Sequence, residues 1–411
     1  MTGHAPLHLF EGYGIELEYM IVDSDSLAVR PVTDRLLQQL AGKIVNEIEV
    51  GPLCWSNELV LHVLELKTNG PAASLVGLAD LFQAGVLKAN EKLASLHCRL
   101  LGTAMHPLMD PHRETVLWPH ENSPIYDAYN RIFGCQGHGW SNVQSMHINL
   151  PFADDGEFGR LHAAVRLVLP LLPALAASSP LVDGRLTGLL DNRLEFYRTN
   201  QQKVPEIAGQ IAPEAIFSRA DYEKQILAAT YRAIAPFDPD GVLQEEWLNS
   251  RGAIARFERN TIEIRVLDTQ ECPKADLAIA ALIVSLVQAL CNNRWQSQRH
   301  QREIPVGPLA ELFRRTLQGG GADMVNDPAY LACFGVLDRR ISVADLWRSI
   351  YDQLQNEIPE EYRSPLELIL RRGPLAQRIL ESLPNDFGPE DILLVYRQLT
   401  GCLEMGELYH G

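Results

Sequence analysis

The alternation in "GYGIELEYMIVD", Gly12 to Asp23, constrains the fold of this chain more than any other feature. Successive side chains of a strand point to opposite faces, so Ile15, Leu17 and Tyr19 share one face and Glu16 and Glu18 the other. Two acids roughly 6–7 Å apart along one strand repel each other unless water or a cation lies over them. The same parity recurs elsewhere. In "QSMHINLPF", Met146, Ile148 and Leu150 oppose Ser145, His147 and Asn149. In "NTIEIRVLD", Ile262, Ile264 and Val266 oppose Glu263 and Arg265, and in "HVLELKTN", Leu64 and Leu66 oppose Glu65 and Lys67. A period of two belongs to strands, so the chain is expected to build a sheet with an apolar back and a polar front.

An antiparallel sheet with one solvated face accounts for each strand taken alone. The residue types favour a second reading, because the front gathers Glu and His with few cations. Hard oxygen ligands with one imidazole suit Mg²⁺ or Mn²⁺. Acids crowded without a cation hold protons, which metal binding would release. Glu58 and Glu65 are seven positions apart, so one regular strand would put them on opposite faces. They reach a common site only through a bulge or bend, or from different elements.

Strands are expected at Tyr13–Val22, Glu47–Cys54, Glu58–Thr68 and Val143–Pro151, and in "RFERNTIEIRVLDTQEC". "PAASLVGLADLFQAGVLKANEKLASLHCRLLG" reads as one long helix opened by its proline, and "DDGEFGRLHAAVRLVLPLLPALAAS" as a helix broken near Pro170 and Pro173. After Gln296 the periods are helical, at Pro308–Leu317, Val343–Asn356, Pro365–Leu383 and Pro389–Leu403. Strands without regular βαβ alternation predict an α+β fold with a mainly antiparallel sheet. The reading is one catalytic domain over 1–411, with a sheet-bearing core at 12–290 and a helical region at 296–411.

A net charge of −16 without a Lys/Arg block argues against nucleic acid or an anionic membrane as partner. Seven scattered cysteines with no zinc spacing predict reduced thiols in a cytoplasm. "MTGHAPLHLFEGYG" lacks the pattern of a signal peptide, and the apolar run Leu277–Cys291 is short for a membrane span, so it reads as a buried helix. No Gly-rich phosphate loop is present in the sequence.

"GIELEYMIVD", "ELVLHVLELKTN", "QSMHINLPF", "ASSPLVDGRLTGLLDNR" and "TIEIRVLDT", in this order, resemble the glutamate–cysteine ligases. The closer likeness is to the bacterial carboxylate–amine ligase branch sometimes called type 2, over about Gly12 to Leu290. The resemblance implies a glutamine-synthetase-like cradle, a curved antiparallel sheet that binds ATP and metal on its concave face with helices packed outside. It implies Glu16, Glu18, Glu65, His147 and Glu263 as Mg²⁺ (or Mn²⁺) ligands, with Glu58 matched less closely. It also implies Asn149 beside the metal histidine, Arg265 on the transferred phosphate, and Arg193 near the phosphate or acid substrate. Two places depart from the branch: Ser145, where many members have a second histidine, and "LLDNRLEFYRTNQQKVPEIAGQ". Both fall near the expected substrate pocket and bear on which amine is used.

The implied activity joins a carboxylate, by default the γ-carboxylate of L-glutamate, to an amine, by default L-cysteine, through an acyl phosphate. Its partners are small molecules, with a homodimer possible. A guanidino-type phosphotransferase and a non-catalytic nucleotide-binding relative are the alternatives. "GCQGHGWSN" (Gly134–Asn142) is a candidate mobile cover, and "DPHRETVLWPHENSP" reads as a surface loop. Arg185 either binds an anion or pairs with Asp183 or Asp191.

Overall fold

The computed structural model describes residues 6–411; Met1–Ala5, the start of the stretch read as lacking a leader, lie outside the described residues. The strands are β1 (Gly14–Asp23), β2 (Glu47–Val50), β3 (Leu53–Asn57), β4 (Val63–Thr68), β5 (Cys98–Leu101) and β6 (Ser145–Pro151). A two-residue hairpin follows, β7 (Leu181–Val182) with β8 (Arg185–Leu186), and then β9 (Ala253–Arg256) and β10 (Thr261–Asp268). The main sheet runs β2-β3-β4-β1-β6-β10-β9, with β5 also paired to β1. Every pairing in it is antiparallel.

Register turns the sequence alternation into two faces. On the back, Leu17 stands opposite Leu66 and Met146, and Ile148 opposite Ile15 and Ile264. These side chains are buried against the helices Leu78–Ala94, Asp155–Val168 and Pro273–Cys291. Each contributes about 1.5–3 kcal/mol by leaving water. The helix Pro273–Cys291 holds the apolar run of the sequence and is 89% buried over its most apolar window. It packs against the helices Leu78–Ala94, Asp155–Val168 and Glu360–Arg372, as a core helix does.

Several boundaries differ from the sequence expectation. Glu47–Cys54 is not one strand, because the chain turns at Gly51–Pro52 into the β2–β3 hairpin. Glu58–His62 is a crossing segment, and β4 starts only at Val63. The expected long helix begins at Leu78, through Gly77 at φ 78°, and ends at Ala94 before β5. The chain does break at Pro170 and Pro173, into a 3-10 turn and a short helix. Pro365 lies inside the helix Glu360–Arg372, and Gly373–Pro374 separates it from Leu375–Ser382. The C-terminal region also carries a two-residue ladder, β11 (Met324–Val325) with β12 (Ile341–Ser342), too short to show a period. Its Trp347, Ile350, Tyr362, Leu366 and Leu403 share one core with the sheet.

Candidate active site

On the front face, Glu16 stands opposite Lys67 and His147, Glu18 opposite Glu65, and Glu65 opposite Ser56. Glu16 is tied to β6 twice: Oε2 lies 2.9 Å from His147 Nδ1, and Oε1 accepts from Asn149 Nδ2 at 3.1 Å. Glu18 Oε2 accepts from the Ser145 backbone N–H (2.7 Å) and hydroxyl (3.0 Å), and that hydroxyl lies 2.9 Å from His147 Nε2. Glu65 Oε2 accepts from Ser56 Oγ at 2.5 Å and Lys67 Nζ at 2.9 Å.

Glu58 follows β3 while Glu65 lies within β4, so two elements deliver the pair that one strand could not. Two groups result, Glu16–Glu65–His147 and Glu18–Glu58–Glu65, each with ligand atoms within 4.8 Å of one another. Glu65 belongs to both.

The electrostatics follow from this crowding. Burial, then the charges of Glu65 and Glu18, push the Glu58 carboxyl well above its ordinary range. Burial also raises Glu18, with Glu65 adding to it against His147. Burial would raise Glu16 too, but the bond and charge of His147 together with the charge of Lys67 leave it lowered. Burial disfavours the His147 cation, yet Glu16 and Glu18 carry its pKa upward.

The face holds more cations than the sequence reading allowed. Glu263, expected among the ligands, lies outside both groups: Arg265 Nε is 3.0 Å from its carboxylate and Arg256 Nη1 3.6 Å. Burial opposes its charge, and Arg265 and His147 lower its pKa overall. Arg193 lies in a buried ion pair, with Nε on Asp268 at 2.6 Å and Nη2 on the Arg265 carbonyl at 3.3 Å. A register shift between Ile264 and Leu267 makes this possible, because one extra residue reverses the parity of β10 and brings Asp268 opposite Ser145.

Three cavities meet at the acids. One of about 410 Å³ is lined by Glu18, Glu58, His147, Arg193 and Arg265 and by several aromatic rings. A polar one of about 630 Å³ holds Ser56, Glu58, Glu65 and Lys67. The third, about 390 Å³, holds Glu16, Lys67, Asn69, Asn149, Asn260 and the rings of Pro71 and Pro151.

Gly134–Asn142, read as a candidate mobile cover, supplies Gly139 and Trp140 to the cavity wall and is tied down at its C-terminal end. Ser141 O lies 2.6 Å from His62 Nε2, and Asn142 bonds both polar backbone atoms of His106. Burial pushes the Cys135 thiol up to about 12, so it is unreactive. The stretch read as a surface loop leads to Asn122, which lines two of the cavities and precedes the helix Ser123–Phe133. Arg185 is exposed, while Asp183 meets His138 and Asp191 caps the helix Asn192–Thr199.

A sequence profile for glutamate-cysteine ligase family 2 (GCS2) matches residues 13–397. The chain belongs to glutamate-cysteine ligase family 2. An uncharacterized protein of Archaeoglobus fulgidus is 34% identical to this family member over 398 residues, 96% of this chain and 99% of that one. A protein of Ruegeria pomeroyi provisionally named glutamate–cysteine ligase 2 is 26% identical over 307 residues, 72% of this chain and 70% of that one. The solved glutamate–cysteine ligase of Francisella tularensis, in complex with AMP, is similar in fold. Its TM-score is 0.60 at 14% identity, over 95% of this chain and 88% of that one.

In this GCS2 protein the residues that sequence reasoning passed over are Lys67 and the ring-bearing wall. Lys67 was visible in the alternation of "HVLELKTN". Tyr126, Tyr129, Trp140 and Trp247 carry no periodic signal that separates a cavity wall from a core. The departing segment Leu189–Gln210 supplies Arg193, Tyr197, Asn200 and Gln201 to the 410 Å³ cavity.

Proposed function

We propose that this protein is an ATP-dependent carboxylate–amine ligase that activates a carboxylate, by family default the γ-carboxylate of L-glutamate, as an acyl phosphate and passes it to an amine. The observation that carries the reading is the pair of acid groups sharing Glu65 on one sheet face, beside Arg265. Oxygen donors with one imidazole fit Mg²⁺ or Mn²⁺, and the raised Glu58 carboxyl marks a cluster short of positive charge. Glu16, Glu18, Glu58, Glu65 and His147 would hold the metal. When bound, it supplies charge neutralisation on the phosphate oxygens.

The chain's own residues do the rest. Asn149 and Ser145 orient Glu16 and Glu18. Glu263 holds the Arg265 guanidinium so that its outer edge faces the transferred phosphoryl group, where a fixed cation lowers the barrier. Arg193 acts as a positioning residue through Asp268 and the Arg265 carbonyl. The cavity with Asn69, Asn149, Asn260 and two proline rings suits a purine, with apolar walls and amides at its edge. The Francisella tularensis enzyme, solved with AMP, is consistent with a nucleotide site on this fold.

The test is ADP release from Mg²⁺–ATP and L-glutamate, with and without amines headed by L-cysteine, and product mass. Amine-dependent release with an amide product supports the ligase. Release that ignores every amine and leaves a phosphorylated product means a phosphotransferase.

A further inference from the structure

The 410 Å³ cavity has two unlike kinds of lining. Glu18, Glu58, His147 and Arg265 make one. The rings of Tyr126, Tyr129, Trp140, Tyr197 and Trp247 make the other. Tyr129 anchors the rings, 5.2 Å from Trp140 and 6.0 Å from Trp247. Trp140, Tyr197 and Trp247 are half-buried and keep ring surface on the open space. Ring surface left in water forfeits the gain of burial, so a wall built this way is made to be covered.

Three residues of the same lining each bury a polar atom without a hydrogen-bond partner: the Tyr197 hydroxyl, Asn200 Oδ1 and Gln201 Oε1. The Asn200 amide is oriented by its Nδ2 donating to the Gly139 carbonyl at 2.9 Å, which leaves Oδ1 as the free end. Unmet acceptors in a buried wall call for a ligand that donates N–H, after a small side-chain rotation. All three belong to the segment Leu189–Gln210 that departs from the branch.

We propose, resting on the ligase reading above, that this cavity is the amine subsite and that its amine carries an aromatic or bulky apolar group rather than the short thiol arm of cysteine. The nucleotide base goes to the separate cavity beside Asn149 and leaves the rings free. In the transfer step the lone pair of the neutral amine attacks the acyl carbon and forms the C–N bond. The bond from that carbon to the phosphate oxygen breaks with its electron pair on phosphate. The nitrogen then releases one proton, giving amide, phosphate and the ADP already formed.

The test uses full-length protein with Mg²⁺–ATP and L-glutamate. Hydroxylamine, too small to need the subsite, reads acid activation alone as a hydroxamate. L-Cysteine, L-alanine, L-leucine, L-phenylalanine and 2-phenylethylamine are compared by kcat/KM and product mass. The best apolar or aromatic amine is expected to exceed L-cysteine at least tenfold. Trp247→Ala and Trp140→Ala are expected to cut that ratio at least tenfold, mainly through KM for the aromatic amine. Saturable tryptophan quenching by 2-phenylethylamine, persisting with a nonhydrolysable ATP analogue, supports the subsite without turnover.

Hydroxamate formation with a flat panel, or with cysteine preferred, overturns this inference and leaves the ligase standing. Displacement of 2-phenylethylamine by the ATP analogue would make the cavity the base site and also overturn it. Absence of both hydroxamate and quenching removes the two readings together.

Discussion

Glu58 is where folding and function conflict most clearly. Burial, then the charges of Glu65 and Glu18, drive its carboxyl well above its usual range, a cost the fold bears in the absence of metal. Glu58→Gln is therefore expected to raise the melting temperature in EDTA, by roughly 1 °C per kcal/mol relieved in a chain this long. The same change is expected to weaken Mg²⁺-dependent ATP binding at least tenfold, because it removes a carboxylate from the proposed metal cluster. Melting curves with EDTA and with Mg²⁺–ATP check both halves, and a variant no more stable than wild type in EDTA would refute the crowding account. Asp268 behaves oppositely. It is fully buried against Arg193, so Asp268→Ala strands an arginine and is expected to cost about 3–5 kcal/mol in a urea titration. Glu16, Glu18 and Glu65 were readable from parity, whereas Glu58, in the crossing between β3 and β4, was not. Asp268 was not, because the extra residue in β10 reverses parity after Ile264 and no side chain in "EIRVLD" announces it.

At the scale of elements, strands with a clean period were legible and their edges were not. β1, β6 and β10 lie where alternation put them, whereas the unbroken apolar run Leu59–Leu61 has no period and hid the crossing between β3 and β4. Within the sheet, Gly14 faces Asn149, and a Cβ at Gly14 would come 2.8 Å from the Cβ of Asn149. Gly14→Ala is expected to push β1 from β6, loosen the Asn149–Glu16 bond and lower kcat/KM more than stability. Parallel assays of ADP release and urea unfolding decide this.

The helix Asp155–Val168 carries a different signal. His162 is fully buried, 5.4 Å from the Phe158 ring, and burial, then Arg166, pushes its pKa down to about 3. Unfolded, the imidazole titrates near 6.5, so between about 6.5 and 3 the unfolded chain binds a proton that the folded one refuses. Its contribution is intact above pH 6.5 and is lost as pH falls, by up to about 1.4 kcal/mol per pH unit. His162→Phe removes that slope. The difference in unfolding free energy between variant and wild type should move in favour of the variant from pH 7 to pH 5, and a constant difference would show that the histidine accepts its proton in the fold.

The C-terminus closes the molecule on the acids' own face of β1, beginning two residues beyond Glu18 at Met20. A second core joins Met20 of β1 and Leu101 of β5 to Leu375, Ile392, Tyr396 and Tyr409. Through it the tail supports the strand that carries Glu16 and Glu18. At its centre Arg378 and Glu271 form a fully buried ion pair just before the core helix Pro273–Cys291. Tyr409 completes the pair from both ends, since its carbonyl accepts from Arg378 Nη1 and its N–H donates to Glu271 at 3.1 Å. Helical periods in the sequence located these helices but gave no sign of this closure, because one tyrosine after a glycine carries no pattern. Ending the chain at Gly406 would remove two partners from a buried charge pair and uncover a buried ring, about 3–5 kcal/mol by the usual costs of unmet polar groups and lost apolar burial. A fall of roughly 3–6 °C in melting temperature is expected. Activity per folded molecule at 20 °C should change less than twofold, because no residue of 407–411 lines a cavity at the acids. Loss of turnover without loss of stability would mean instead that the tail reports directly to β1.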